Sequence, residues 1–283
     1  MIKITLWESI AAKKLLVLFA GLTCHSLHAS PVLSPNAAAV HTDGVFFCDD
    51  CSGYSLRAGF RGDYVFDRKL SSSTRGTSDR TSIMSNEGVL TLNFWDRLDI
   101  YGLVGASSID VSDIYYEPVF RTSQLAEATT TSSTIWGIGA RATILEYNFG
   151  CCGTSYLGAD INYQSIGSFN APESTFNGHP LAGTPITGRY KETQISLQIG
   201  HRIAMVTPYI AAKWSNAMSS IEYGSYNYLQ QTVPAGQEGL RNTGNHWGYA
   251  VGVLLIDAGR MSVTAEARFI DEKAMTIMGE FRF

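Results

Sequence analysis

The sequence is short of charge and has no long apolar run. Only 16% of its 283 residues are charged, and Lys+Arg (21) fall below Asp+Glu (25), for a formal net charge of −4. Charge this sparse, beside 14 Tyr and 13 Phe, excludes a disordered chain or a charged coiled coil. The missing basic excess argues against a nucleic-acid partner. After residue 30 no apolar stretch approaches the roughly 20 residues of a membrane helix, and helical periodicity is scarce. Yet 45% of residues are hydrophobic at a mean hydropathy of +0.00. The apolar residues are present but dispersed.

The one greasy stretch is N-terminal. Lys3, Lys13 and Lys14 precede Leu15 to Leu22, and Ala29 offers a small residue for cleavage. This reads as a secretory signal peptide over 1–29. A membrane anchor needs a longer core, and a lipid anchor on Cys24 would follow Thr23, a poor residue for that position. Cleavage leaves four cysteines, Cys48, Cys51, Cys151 and Cys152, and an even count in an exported chain is compatible with disulfides. The expected layout is a signal peptide at 1–29, a periplasmic segment with a Cys pair at 30–53, and a membrane barrel at 54–283.

What replaces the long runs is alternation. Leu56, Ala58, Phe60, Tyr64 and Phe66 share a face opposed by Arg57, Arg61, Asp63 and Asp67. The same period of two recurs around Trp136–Ile144, Leu157–Tyr163, Ile195–Ile199, Ile210–Trp214, Met261–Phe269 and Met275–Phe283, with weaker strands near 88–94, 98–106 and 247–256. Segments of about ten residues with this pattern are the signature of an antiparallel transmembrane β-barrel. The expectation is an all-β barrel of about ten to twelve strands, possible extra strands coming from 107–132 or 216–233.

Connection lengths separate a barrel from a sandwich. Tight turns at 95–97, 203–205 and 257–260, and a somewhat longer one at 146–154, alternate with long polar stretches at 69–87, 107–132, 166–189 and 216–245. The tight Asp271-Glu272-Lys273 is the exception. Short periplasmic turns and long outer loops are what a barrel requires. Trp136, Trp214 and Trp247 then fall near the outer rim, and Phe94, Phe281 and Phe283 near the periplasmic rim, as interfacial aromatic girdles do. The chain ends Gly279, Phe281, Phe283 on one face, similar to the terminal signal of bacterial outer-membrane barrels.

By parity the lumen receives Arg57, Arg61, Asp63, Asp67, Asp99, Arg141, Asp160, Arg202, Lys213, Glu266, Arg268, Glu280 and Arg282, seven positive against six negative. Such residues either line a weakly selective pore or pair across the lumen and fill it. Cys48-Asp49-Asp50-Cys51 is a poor redox site, because two aspartates oppose thiolate formation, and it supplies too few ligands for structural zinc. All four cysteines fall on the oxidising periplasmic side. A bridge between adjacent cysteines is strained, so the expectation is pairing with other residues or other chains. No cofactor, metal or catalytic residue is expected: His179 and His246 near the outer rim have no carboxylate placed beside them for acid–base work.

Five blocks in order resemble a known family: Ser55-Leu56-Arg57-Ala58-Gly59-Phe60-Arg61-Gly62-Asp63-Tyr64-Val65-Phe66-Asp67-Arg68, Leu92-Asn93-Phe94-Trp95-Asp96-Arg97-Leu98-Asp99, Trp136-Gly137-Ile138-Gly139-Ala140-Arg141-Ala142, Thr207-Pro208-Tyr209-Ile210-Ala211-Ala212-Lys213-Trp214-Ser215, and Ala265 to Lys273 running on to Phe281-Arg282-Phe283. They are similar to the chlamydial major outer membrane protein family, with shorter loops and fewer cysteines. The resemblance implies an outer-membrane porin passing ions and small solutes, which is also a structural part of a cysteine-crosslinked envelope. Its implied partners are outer-membrane lipid, disulfide-linked envelope proteins and further copies of itself, a trimer being common among porins. The alternatives are a non-conducting structural or adhesin barrel, with Tyr115, Tyr116, Phe120, Tyr226 and Tyr228 available for surface recognition, and a barrel enzyme with a rim site.

Overall fold

The computed structural model describes residues 31, 54–68, 70–72, 76–95, 97–117, 122–150, 153–171, 173–176, 179–180, 186–223, 226–228, 231–233, 236–257 and 261–283. The Cys48/Cys51 segment, the signal-peptide region and Cys151/Cys152 lie outside them. The strands in chain order are β1 (Tyr54–Arg68), β2 (Leu70–Ser72), β3 (Gly76–Phe94), β4 (Leu98–Glu117), β5 (Thr122–Thr129), β6 (Ser133–Asn148), β7 (Thr154–Asn170), β8 (Glu173–Phe176) and β9 (His179–Pro180). They continue with β10 (Ile186–Arg202), β11 (Val206–Tyr223), β12 (Tyr226–Tyr228), β13 (Gln231–Val233), β14 (Gly236–Thr243), β15 (Trp247–Asp257), β16 (Met261–Phe269) and β17 (Glu272–Arg282). All pairings are antiparallel.

Ten of these strands, β1, β3, β4, β6, β7, β10, β11, β15, β16 and β17, form a ring that closes through β3–β4 and β1–β17. Closure satisfies every ladder group without an edge, the condition for crossing hydrocarbon with strands. Starting at Arg61, the register leads through Glu87, Gly105 and Ile135 to Ile166 on β7. The other way it leads through Met278, Thr264, Leu254, Thr207 and Arg202 to Thr154, twelve residues from Ile166 on the same strand. A ten-strand barrel with that stagger tilts its strands by about 40° and has a backbone radius of about 10 Å. Side chains of ordinary length reach its axis.

The molecule is apolar outside and polar inside. Phe60, Leu90, Val104, Ile138, Leu197, Ile199, Ile210, Tyr249, Val251, Met275 and Ile277 are all exposed on the outer wall, while their strand neighbours Arg61, Thr91, Tyr101, Gln198, Tyr209, Ala250 and Thr276 are buried. Tyr54 and Tyr64 mark the two aromatic levels on β1. Ten residues of strand span about 25 Å of height at this tilt, the height of an outer-membrane barrel's apolar band.

The polar stretches read as outer loops are largely strand. β3 has 19 residues and β4 has 20, against 9 in β16 and 11 in each of β15 and β17. One side of the barrel therefore rises well above the membrane and the β15–β17 side stops near its surface. The period of two fades in the extensions because no lipid there demands an apolar outer face, so composition alone resembles loop. The extra segments do not widen the ring. β4 pairs with β6 through Leu98–Ser107 and with β5 farther out through Asp110–Glu117, while β12 and β13 pair only with each other.

Candidate functional site

Among the described residues the interior is where the fold concentrates chemistry, and it holds two ion-paired clusters. The periplasmic one draws on β1, β3, β4, β6, β7 and β17. Asp99 pairs with Arg57 and with Arg141 (2.8 Å), and accepts a hydrogen bond from Asn93 (2.7 Å). Arg141 reaches Glu280 at 3.2 Å, Thr91 donates to that carboxylate at 3.0 Å, and the guanidinium lies 5.4 Å from the centre of the Tyr101 ring. Tyr101 donates to Asp160 (2.9 Å), which Asn162 also reaches (2.8 Å). The ring stands opposite Gly139, and a Cβ there would collide with it.

The outer cluster crosses the lumen from β1, β10, β11, β16 and β17. Arg68 contacts Glu272 (2.9 Å), Glu192 (3.0 Å) and Asp271 (3.2 Å). Lys213 pairs with Glu272 and, at 2.9 Å, with Asp271. Arg268 reaches Glu272 at 2.6 Å, Asp63 at 2.7 Å and Glu266 at 3.7 Å. Tyr190 donates to Glu192 (2.7 Å) and Tyr209 to Glu266 (2.8 Å). Between the clusters Arg61 donates to Glu87 (2.6 Å). The two-residue bend at Ile270 and Asp271 makes the outer cluster reachable. Ile270 takes φ 85°, a left-handed value rare for a β-branched residue, and Asp271 beyond it is buried against Arg68 and Lys213. A Cβ on Gly248 would occupy the space Asp271 fills.

Of the thirteen charges assigned by parity, Arg57, Arg61, Asp63, Asp99, Arg141, Asp160, Lys213, Glu266, Arg268, Glu280 and Arg282 are buried inside the barrel. Asp67 is not. A register shift between Val65 and Asp67 turns it outward to Lys273 at 3.9 Å and turns Arg68 inward. Arg202 sits half-buried at the periplasmic mouth, 3.9 Å from Glu146. Glu87, Glu192, Asp271 and Glu272 also belong to the interior. Glu87 continues the parity of Val89, Thr91 and Asn93, so extending the alternation past the assumed strand boundary finds it. Arg68 and Asp271 depend on a bulge and a bend that leave no such trace. With these included, the buried charges among the described residues are seven basic and nine acidic.

A polar lumen is the sequence expectation, and the outer half departs from it. Val65, Ile83, Ile109, Val111, Ile135, Ile166, Phe169 and Tyr190 form a buried apolar cluster, packed inside the wall on the β3–β7 side beside the Arg68–Glu192 pair. The girdle residues lie on the outer face: Trp136, Trp247 and Phe281 are exposed, and Trp214, Phe94 and Phe283 partly so. Tyr163 joins Trp136 at 5.4 Å. His246 stacks on Trp214 and bonds to the Ser215 carbonyl at 2.8 Å.

The family model described as Chlamydia major outer membrane protein matches residues 10–83 and 239–283. The chain is 26% identical over 396 aligned positions to a major outer membrane porin of Chlamydia psittaci, covering 96% of this chain and 99% of that protein. It is 28% identical over 396 positions to the serovar B porin of Chlamydia trachomatis, with the same coverage. An alignment of 396 positions against a chain of 283 residues places long insertions in the relatives. Similar solved structures include the outer membrane protease OmpT of Escherichia coli (11% identity, 81% of this chain and 95% of that one, TM-score 0.42). OprG of Pseudomonas aeruginosa is another (9% identity, 82% and 96%, TM-score 0.39).

Proposed function

We propose a function on one premise: the chain belongs to the Chlamydia major outer membrane protein family. It acts as an outer-membrane porin, passing ions and small solutes by diffusion without a cofactor and without catalysis. The observation that carries this is the inverted barrel, whose lipid face is apolar and whose interior holds, among the described residues, sixteen buried charged residues, seven basic and nine acidic. Charge belongs inside a barrel only where it meets water, an ion or an opposite charge. Solutes pass as ion pairs exchange partners with water and with the passing ion. The acidic excess gives a modest cation preference.

The test is single-channel conductance of the refolded protein in a planar bilayer under a salt gradient. The expected result is small conductance steps, given the filled lumen, with a reversal potential on the cation side. A second reading has its own support. Arg61, Glu87, Asp99, Lys213 and Thr276 are 0% exposed, and packing that leaves no room for water suits a non-conducting structural barrel. A folded, silent barrel would select it.

The family's crosslinked envelope extends the proposal to Cys48, Cys51, Cys151 and Cys152 as disulfide partners, some of them between chains. Phe149 and Gly153, which flank Cys151 and Cys152, stand at the periplasmic ends of β6 and β7, on the oxidising side. Non-reducing gels of intact cells should show crosslinked species that collapse on reduction. Free-thiol monomer alone would remove this part of the proposal. The same gels report whether copies associate as a trimer.

A further inference from the structure

Between the two aromatic levels no described Asp, Glu, Lys or Arg projects from the outer wall, as hydrocarbon requires. The first cations beyond the outer level are therefore informative. On β10, Arg189 and Lys191 are exposed while Tyr190 and Glu192 between and beside them are buried, so both cations share the outward face. The register fixes their height. Thr193 stands opposite Tyr163 and Ile195 opposite Trp214. Lys191 is two residues beyond Thr193, about 5 Å of height at a tilt of about 40°, and the stagger lifts β10 about 3 Å relative to its partner on β7, so Lys191 stands about 8 Å above the Tyr163 level. The headgroup layer on each side of a bilayer is about 5–8 Å deep. Lys191 stands at its outer edge, and the longer arginine reaches down toward it from one step higher.

The neighbours leave this pair uncompensated. Lys191 faces Ser165 and Met218 across its two ladders, and Arg189 faces Ser220. The nearest carboxylate on the same face is Glu222, opposite Thr187 one step farther from the membrane, and no ion pair joins it to either cation among the described residues. The other rim cations differ. Lys273, 72% exposed at its side chain, has Asp67 at 3.9 Å, and Arg80 donates to the Phe66 carbonyl at 3.1 Å.

We propose that Arg189 and Lys191 bind the phosphate of a lipid in the outer leaflet, seating its headgroup on the outer face of β10 above Trp136, Tyr163 and Trp214. A guanidinium gives a phosphate two parallel hydrogen bonds and an ammonium adds a point charge. Ser220, half-buried, stands beside them on the same outward face, while Ser165, opposite Lys191 and Trp136, is buried. The aromatic rings below meet the acyl chains. The site does not depend on conduction and stands whether the lumen is open or closed.

The test is lipid retention by the refolded full chain in detergent, counted by native mass spectrometry with lipid A as phosphorylated probe and phosphatidylcholine as reference. The wild type should retain lipid A in preference. Each basic residue near an anionic surface is worth roughly a fivefold change in affinity. R189Q/K191Q should therefore bind lipid A roughly 25-fold more weakly, K273Q should change it far less, and R189K/K191R should keep most of it. Heat-modifiable gel migration checks that each variant is folded; both side chains are exposed and join no ion pair among the described residues. Equal retention by R189Q/K191Q and wild type, or an equal loss in K273Q, overturns the proposal. Displacement of lipid A by inorganic phosphate alone makes this a free-anion site and overturns the lipid assignment.

Discussion

The two ion-paired clusters inside the barrel have the same residue types and opposite balances. The periplasmic cluster sets Arg57 and Arg141 against Asp99 and Glu280. The outer cluster sets Arg68, Lys213 and Arg268 against Asp63, Glu192, Glu266, Asp271 and Glu272. The ion pairs of the first are balanced two against two, with Asp160 beside them behind the Tyr101 ring; it spans strands that are neighbours in the ring and is braced by Asn93, Thr91 and that ring. It is a clamp. The second carries two carboxylates more than cations and reaches across the axis, joining β10 and β11 to β16, β17 and β1. Its excess attracts cations from the outer side. Balance distinguishes a structural pairing from one that a passing ion can enter.

The comparison is most easily broken at its hubs. Replacing Arg68 with Met leaves five carboxylates against two cations in a dry site. The expected loss of stability is about 3–5 kcal/mol, read as a lower urea midpoint for the refolded barrel in vesicles. Replacing Arg141 with Met leaves Arg57 to serve Asp99 and leaves Glu280 with the Thr91 hydroxyl but without its cation. A loss at the lower end, about 3 kcal/mol, is expected in the same assay. If Arg141→Met proves worse than Arg68→Met, the outer cluster is not the more strained of the two.

A gentler change sharpens the difference. Glu192→Gln reduces the outer excess while Arg68 keeps Glu272 and Asp271. The reversal potential under a salt gradient should move toward anions, and a charge-neutral change in the clamp, Thr91→Val, should leave it where it was. Equal shifts from both would show that the outer cluster has no special hold on selectivity. The smallest effect is expected outside the lumen. Asp67→Asn breaks a pair with the mostly exposed Lys273 at 3.9 Å and should cost less than about 0.5 kcal/mol with no change in conductance. A large effect would return Asp67 to the interior, against the register shift that turns it out.

Legibility in the sequence followed the environment each residue meets. Phe60 and Arg61, or Ile277 and Thr276, betray their sides because lipid and lumen demand opposite chemistry at adjacent positions. Ile109 and Ile135 carry no such signal in their own chemistry: apolar, they point inward, and only their alternation with Ser108 and Trp136 gives their side. Glu87 and Glu192 are hard to read because the regular alternation of large apolar residues stops before them, at Gly88 and Ile195, though both strands run on.

Alternation over hydrocarbon therefore determined the inverted barrel, its orientation, its girdles and most of its inward charges, since a one-residue error would place arginine in lipid. Tertiary structure decided the rest. The ring has ten members because β5 and the segments after β7 and β11 pair above the membrane rather than within it. The exchange of Asp67 for Arg68 comes from one extra residue in a ladder, and Asp271 enters the lumen through a bend. Whether charges line a space or fill it depends on radius and stagger, which arise only when strands distant in sequence meet. At a radius of about 10 Å their side chains meet at the axis.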